Sequence, residues 1–421
     1  MLKNYLKIAV AVLLRRKFLT FVNLFGTVLT LTVLVVAFAT LDSIVSPSGA
    51  QHRNDHVLAI NRVTMSHSTE FILRSSGPGG AFFTSYVKPL RTPDLISLTT
   101  QARTGTSYIE GRKLTVQIRA TDAAYWKILD FGLVSGRLLA PDDIDSGKSV
   151  AVINEATARD WFHGQAPLGK RIVVGSHSYE VVGIVRDEPQ TSALSYSDVW
   201  VPITSGETRA WEQEFLGENQ VLLYVNDPAK RDAMRDELAA RVRPFNVNPD
   251  PVNYNTLRAP ATTPFQELAA LALGRNDLRR DDWQSDPSAL FIAVMIVVAL
   301  LFMALPAVNM VNLNVGRIME RAPEIGLRKA AGAPTRVLVG QFIFENLVLT
   351  LLGGALAFAV APVILGVLND VFRHGQLRLN LPVFVAGLAF VGVFGVLSGA
   401  YPAWKMARLD PAAALKGQRY A

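Results

Sequence analysis

The sequence contains no cysteine, and its six histidines are scattered without ligand spacing such as His-x-x-x-His. Disulfides and thiolate-held metals are thereby excluded, and no imidazole-based metal motif is present. Also missing are a Gly-x-Ser-x-Gly elbow, a His-Glu-x-x-His helix and any comparable triad signature, so nothing in the sequence points to an enzyme. The stretch "SGKSV" at 146–150 imitates the end of a phosphate loop, but that loop needs a glycine five residues before Gly147. Asp142 stands there, inside a "PDDID" run that repels phosphate. We read 146–150 as a turn leading into a strand, and Asp142, Asp143 and Asp145 as a solvated turn rather than a divalent-cation site.

Charge is missing from three long runs and is reduced to a single acid, Glu345, in a fourth. Half of the 421 residues are apolar, which is too greasy for a single soluble domain of this length and predicts a membrane part beside a separately folded part. A membrane-crossing helix needs about 20 mostly apolar residues. Segments 18–41, 288–312, 337–368 and 381–404 qualify, the third broken by Pro362. The fold class expected is an α-helical membrane protein with four transmembrane helices and a large α+β domain, residues 42–287, between helices 1 and 2. The tripeptide "AFA" at 37–39 has the form of a signal-peptidase site, but the apolar run before it exceeds the about 7–15 residues of a signal peptide.

The net charge of +7 lies in the flanks of these runs, which argues for membrane topology and against nucleic acid. Lys3, Lys7, Arg15, Arg16 and Lys17 precede the first run. Arg317, Arg321, Arg328, Lys329 and Arg336 separate the second and third, and Lys405, Arg408, Lys416 and Arg419 follow the fourth. The short outer loop 369–380 holds only Arg373 and Arg378, opposed by Asp370. The bias puts both termini and the 313–336 segment in the cytoplasm, and 42–287 outside. Residues 1–17 place Leu2, Leu6, Ala9, Val10, Leu13 and Leu14 at helical spacing, as an amphipathic helix lying in the lipid interface does.

Within 42–287, "HVLAINRV" (56–63), "LTVQIRAT" (114–121), "SVAVIN" (149–154), "DVWVPI" (198–203) and "QVLLYVN" (220–226) read as strands. Residues 171–185 read as a hairpin turning at Gly175-Ser176. Helices are expected at 155–162 and 227–243, the latter capped by Asp227 with Pro228 in its first turn. "SSGPGGAFFTSY" (75–86) reads as a Gly-rich loop presenting aromatics, a candidate contact surface, and 264–283 as an amphipathic lead back to the membrane.

Inside the spans, Glu345 is an intramembrane acid and so a functional candidate. Its position about 12–14 Å beyond Arg336 also suits a structural ion pair near the inner interface, and we favour that pairing. Pro306 is expected to kink the second span, Asn309 and Asn312 to bond neighbouring helices, and Gly353-Gly354 to admit close helix packing.

Taken with this architecture, "NYLKIAVAVLLRRKFLTFVNLFG" (4–26), "GRLLAPDDIDSGKSVAVINEATARDWF" with the following "PLGKRIVVGSHSYEVVGIVRD", "ERAPEIGLRKAAGAPTRVLVGQFIFENLVLTLLGG" (320–354) and "GAYPAWKMARLDPAAALK" (399–416) are similar to the FtsX/MacB-type permeases of ABC transporters. The resemblance covers nearly the whole chain and is most specific at 320–354. It implies that Glu320, Arg321, Glu324, Ile325, Gly326, Leu327, Arg328, Lys329 and Gly332 form a coupling helix docking into a groove on an ATPase. The apolar ridge of Ile325 and Leu327 and the charges of Arg321, Glu324 and Arg328 suit such a groove. Pro323 departs from the polar or basic residue usual there.

It further implies a porter-like part (42–122 and 220–287), a Sabre-like part (123–219) and a cytoplasmic tail at 405–421. No complete Walker motif is present, so the ATPase, with its ATP and Mg, is expected on a separate polypeptide in two copies. A second permease copy, identical or related, a possible periplasmic adaptor and membrane lipids complete the expected partners. The expected work is efflux. Lipoprotein release by the same class of permease, or a membrane-anchored sensor or scaffold without an ATPase, are the alternatives.

Overall fold

The computed structural model describes residues 17–45, 49–67, 72–109, 112–206, 210–245, 254–274, 286–302, 304, 327, 334–371 and 377–407. They fall into two units: an outer one spanning Asp42–Phe291, and a helical one containing the first helix up to Leu41 and the chain from Ile292 onward, apart from residues 372–376.

The outer unit is α+β. Its larger sheet contains β1 (Val57–Ile60), β4 (Leu95–Thr100), β5 (Arg103–Ile109), β6 (Arg112–Thr121), β7 (Leu133–Gly136), β8 (Val150–Asn154), β9 (Arg171–Val174), β10 (His177–Val185), β11 (Val199–Pro202) and β13 (Asn219–Tyr224). The order β1-β13-β4-β6-β11-β8-β10-β9-β5 turns back on itself, because β5 pairs with both β9 and β6. Six strands therefore close a ring: β6, β11, β8, β10, β9 and β5. Val116, Ile118, Ala151, Ile153, Ile172, Val174, Val181, Val199 and Val201 from these strands gather with Trp161 into one buried cluster. Trp161 comes from α3 (Glu155–Phe162), which Asn154 caps by accepting the Thr157 amide at 2.8 Å.

Beyond the ring, β13 runs between β1 and β4 and is buried on both faces. Val221 and Leu223 join a cluster with Leu58, Ile60, Met65, Met234 and Leu238, while Leu222 and Tyr224 join another around Tyr125, Trp126, Phe131 and Trp200. This double burial is why "QVLLYV" is continuously apolar instead of alternating. Met234 and Leu238 lie on α4 (Arg231–Val242), which is preceded by a turn in which Asp227 accepts the Ala229 amide at 3.0 Å. A second sheet orders β12 (Leu216–Gly217), β3 (Leu73–Pro78), β2 (Val63–Ser66) and β14 (Thr256–Arg258). The 171–185 hairpin forms as expected, with Gly175 at φ +64 in its turn.

Two readings need correction. The Gly-rich 75–86 stretch is not an exposed aromatic surface: Phe82 is fully buried and Tyr86 nearly so, both packed against Phe215. Its glycines serve close backbone approach. A Cβ at Gly80 would lie 2.5 Å from Glu212 Cα, and one at Gly79 would lie 2.6 Å from the Glu214 carbonyl carbon.

The acidic cluster is only partly solvated: Asp142 and Asp145 are exposed, but Asp143 is not. Asp143 belongs to α2 (Pro141–Asp145), has a buried side chain, pairs with Arg137 and accepts the Ala140 amide at 2.9 Å. Asp142 pairs with Lys148, and Gly147 adopts φ +60 in the turn before β8. Among the described residues no cluster of acidic or histidine side chains could hold a metal.

Burial alone would raise the Asp143 carboxyl, but Arg137, the Ala140 amide and Lys148 hold it below the ordinary carboxylate value. The stabilisation this represents is present above that value, about pH 4, and is lost as pH falls through the lower folded one. Asp143→Asn is therefore expected to cost roughly 1–3 kcal/mol at neutral pH. In urea titrations followed by tryptophan fluorescence, the gap from wild type should narrow as pH drops below about 4. A gap independent of pH would show that the charge of Asp143 does not contribute.

Candidate functional site

Two places are candidates, one in the helical unit and one in the outer unit, and each is built from the helices that frame it. In the helical unit, α1 (Lys17–Val45), α7 (Thr335–Val371) and α8 (Leu381–Ala407) are long and apolar. Two described segments, Thr20–Val45 and Val339–Val371, are long and apolar enough to cross a membrane; the apolar helices Ser288–Phe302, here α6, and Leu381–Val393 are shorter. Pro362 does not break α7, which runs through it. In an apolar setting, neighbouring helices and local adjustment accommodate the missing amide.

Glycines set the contacts. A Cβ on Gly353 would come within 2.8 Å of Thr27 Cγ2 on α1, one on Gly354 would press on Leu388 of α8, and one on Gly387 would lie 2.8 Å from Leu34 Cδ2. Backbones approach closely at small residues, as membrane helices require when apolar burial gives no net drive. α7 and α8 form a hairpin, stacked edge-to-face at Phe358 and Phe384. It is closed where Asn369 donates to the Leu377 carbonyl at 3.0 Å and accepts its amide at 2.8 Å.

Glu345 sits in this unit at 4% exposure, accepting a hydrogen bond from Gln341 Nε2 at 3.1 Å one turn earlier. Asn346 and Thr350 beside it are buried, as are Asn23, Thr27 and Thr30 on α1. Polar groups thus face the interior of the unit rather than its lipid-facing side. A neighbouring amide supplies one of the contacts that hold Glu345.

Of the expected coupling residues, only Leu327 is described, helical and 65% exposed. Glu320, Arg321, Glu324, Ile325, Gly326, Arg328, Lys329 and Gly332 lie outside the described residues. So do Pro306, Asn309, Asn312 and most of the amphipathic 1–17 segment.

The second place is the root of α6, and sequence reading missed it. α5 (Pro264–Ala272) begins with a reciprocal cap in which Gln266 N donates to Thr263 Oγ1 at 3.2 Å and Thr263 N to Gln266 Oε1 at 3.0 Å. Gln266 also donates from Nε2 to Asp286 Oδ2 at 2.9 Å, and Asp286 Oδ1 accepts the Ser288 amide at 2.8 Å, capping α6. Phe265 meets Phe291 edge-to-face at 5.8 Å. The Asp286-Pro287 signal marks the helix start in the sequence, but nothing there announces its partner Gln266. Burial opposes the charge on Asp286, yet Ser288, Gln266 and Arg235 hold its carboxyl below the ordinary value. A polar clamp and an aromatic contact therefore hold the first turn of α6, all within the outer unit.

Elsewhere in the outer unit, Arg119 of β6 is buried among neutral oxygens, and burial lowers its pKa while the nearby Tyr125 partly counters. Burial pushes the Tyr125 hydroxyl, which donates to the Leu194 carbonyl at 2.9 Å, up to about 12. Glu188 accepts the Ala50 amide at 3.0 Å and the Ser195 hydroxyl at 2.8 Å, and burial raises its pKa. Together these contacts tie loop 187–198 into the interior. None of these residues forms a recognisable catalytic arrangement.

A family profile described as MacB-like periplasmic core domain matches residues 20–241, just over half the chain, and one described as FtsX-like permease C-terminal matches 296–411. Similar curated proteins include a macrolide export ATP-binding/permease protein MacB of Shewanella sp. (strain W3-18-1), 24% identical, covering 72% of this chain and 44% of that one. Another MacB, from Azoarcus sp. (strain BH72), is 27% identical over 71% of this chain and 42% of its own. An uncharacterized ABC transporter permease YknZ of Bacillus subtilis (strain 168) is 23% identical over 71% of this chain and 69% of its own. The chain thus spans about half the length, or less, of the MacB relatives. Among solved structures, a domain of a putative permease protein from Porphyromonas gingivalis is 16% identical, covering 50% of this chain and 90% of that one with a TM-score of 0.38. The periplasmic region of MacB from Actinobacillus actinomycetemcomitans is 19% identical, covering 43% and 83% with a TM-score of 0.31.

Proposed function

The chain belongs to the FtsX/MacB-type family of ABC transporter permeases, inner-membrane proteins with a periplasmic domain, and from that premise we propose that it is the permease subunit through which ATP hydrolysis on a partner chain drives movement outside the membrane. The observation that carries this reading is the clamp at the root of α6. In this reading a shift of α6 acts on the outer unit's own contacts Gln266–Asp286 and Phe265–Phe291. In this reading the 313–336 segment forms the cytoplasmic coupling element, four helices cross the membrane and both termini are cytoplasmic. Residues 123–219 form a Sabre-like part of the outer unit. The ATPase pair carries ATP and Mg, a second permease copy completes the complex, and the work is efflux with a periplasmic adaptor. The names of the MacB relatives, which speak of macrolide export, favour efflux.

The test is capture from gently solubilised membranes of the host. Wild type is expected to bring down an ABC ATPase, and Glu324→Arg to lose at least about 90% of it, since charge reversal at a docking surface places like charges together. Capture of no ATPase by wild type would move the sensor or scaffold reading to the front.

A further inference from the structure

Four side chains from separate parts of the outer unit form one hydrogen-bonded chain of uniform polarity. Arg119, 1% exposed, donates from Nη2 to the carbonyls of Ala193 at 2.7 Å and Tyr196 at 3.4 Å. From Nη1 it donates to the Thr100 carbonyl at 2.9 Å and to Gln220 Oε1 at 3.0 Å. Gln220 Nε2 donates to Asn61 Oδ1, and Asn61 Nδ2 donates to Glu267 Oε2 on α5. Each amide accepts on the side of the guanidinium and donates on the side of the carboxylate, so neither can flip without breaking both of its links.

The arrangement also accounts for an otherwise costly feature. A fully buried cation among neutral oxygens is unfavourable unless it is compensated. Here the chain ends on an anion, and links aligned head to tail between opposite charges polarise and strengthen one another. Arg119 and Gln220 are sealed from water, Asn61 is half-buried and Glu267 is exposed. The Asn61–Glu267 link is therefore the one that water can replace at least cost.

We infer that this chain is a latch. It fastens α5, and through the Gln266–Asp286 clamp the root of α6, to loop 187–198 in the interior of the outer unit, and it opens at Asn61–Glu267 when α6 is displaced. That α5 is restrained this way stands on the geometry alone; its use in transmission rests on the permease reading.

The experiment is amide hydrogen exchange by mass spectrometry on the full chain in lipid nanodiscs, reading residues 267–274, whose amides bond within α5. Asn61→Asp puts a second carboxylate opposite Glu267 and is expected to speed exchange there about tenfold. Adding Glu267→Gln restores a donor to that carboxylate, so the double variant is expected to return to within about twofold of wild type. Wild-type exchange in Asn61→Asp, or a double variant as loose as the single one, overturns the latch. If the single variant loses protection throughout the outer unit, the double variant still decides: restored protection supports the latch and persistent loss overturns it. No ATPase is needed for this readout, so its failure leaves the permease reading standing, and failed ATPase capture leaves the latch standing.

Discussion

Arg119→Ala is expected to destabilise the outer unit by about 3–5 kcal/mol, among the largest effects a single substitution can have here. The change removes a donor set that satisfies the carbonyls of Thr100, Ala193 and Tyr196 and the Gln220 amide oxygen, all in the interior. Each buried acceptor left unmade costs about 1–3 kcal/mol, and the vacated volume adds a cavity term. Lysine should recover less than half of the loss, because an ammonium cannot present the planar fork that reaches oxygens on β4, β13 and loop 187–198 together. Urea unfolding of the full chain, followed through Trp126, Trp161, Trp200 and Trp211, measures the effect. A lysine variant as stable as wild type would show that the fork geometry is unimportant.

Gly79→Ala is expected to cost at least about 3 kcal/mol for the addition of a single methyl group. The new Cβ would collide with the Glu214 carbonyl, which is backbone and cannot rotate away. Relief requires separating the segments, which breaks the bonds from the Gly79 amide to the Phe215 carbonyl and from the Ala81 amide to the Glu214 carbonyl, both 3.0 Å. The β3–β12 pairing at Gly77–Gly217 and Pro78–Leu216 is lost with them. Gly175→Ala is the control: its positive φ carries the usual strain, but no atom lies within 4 Å of the added carbon. Its cost should stay near 1 kcal/mol. Equal losses at both glycines would mean that conformation, not contact, governs Gly79.

These positions mark where the sequence is legible and where it is not. The strands, the 171–185 hairpin and the cap at Asp227 follow from local chemistry, because each signal and its partner lie within a few residues. The glycines of 75–86 announce themselves only as permissive residues; whether they turn in solvent or admit a neighbouring backbone depends on residues 212–219, far along the chain. Asp143 reads as one acid among several until Arg137 is seen beside it. Arg119 is the clearest case. In "LTVQIRAT" the apolar positions 114, 116, 118 and 120 alternate with polar ones, the pattern of a half-exposed strand. The structure buries Arg119 and Thr121 on the polar face, with loop 187–198 and β13 bonding Arg119, while Thr115 stays exposed. That burial is a tertiary fact with no local trace. In the helical unit the Gly353-Gly354 pair was readable as a packing site, since small residues in an apolar helix have few other uses. The course of α7 through Pro362 was not.

The measurement that tests the proposed function most directly is nucleotide-dependent hydrogen exchange, in nanodiscs, of the complex of this chain with an ABC ATPase captured as proposed above. Trapping ATP on the ATPase is expected to change exchange several-fold in 267–274 and in loop 187–198, to leave the 171–178 turn unaltered, and to have no effect in Glu324→Arg. A complex that binds and hydrolyses ATP while the outer unit exchanges identically in both states would contradict transmission through the root of α6.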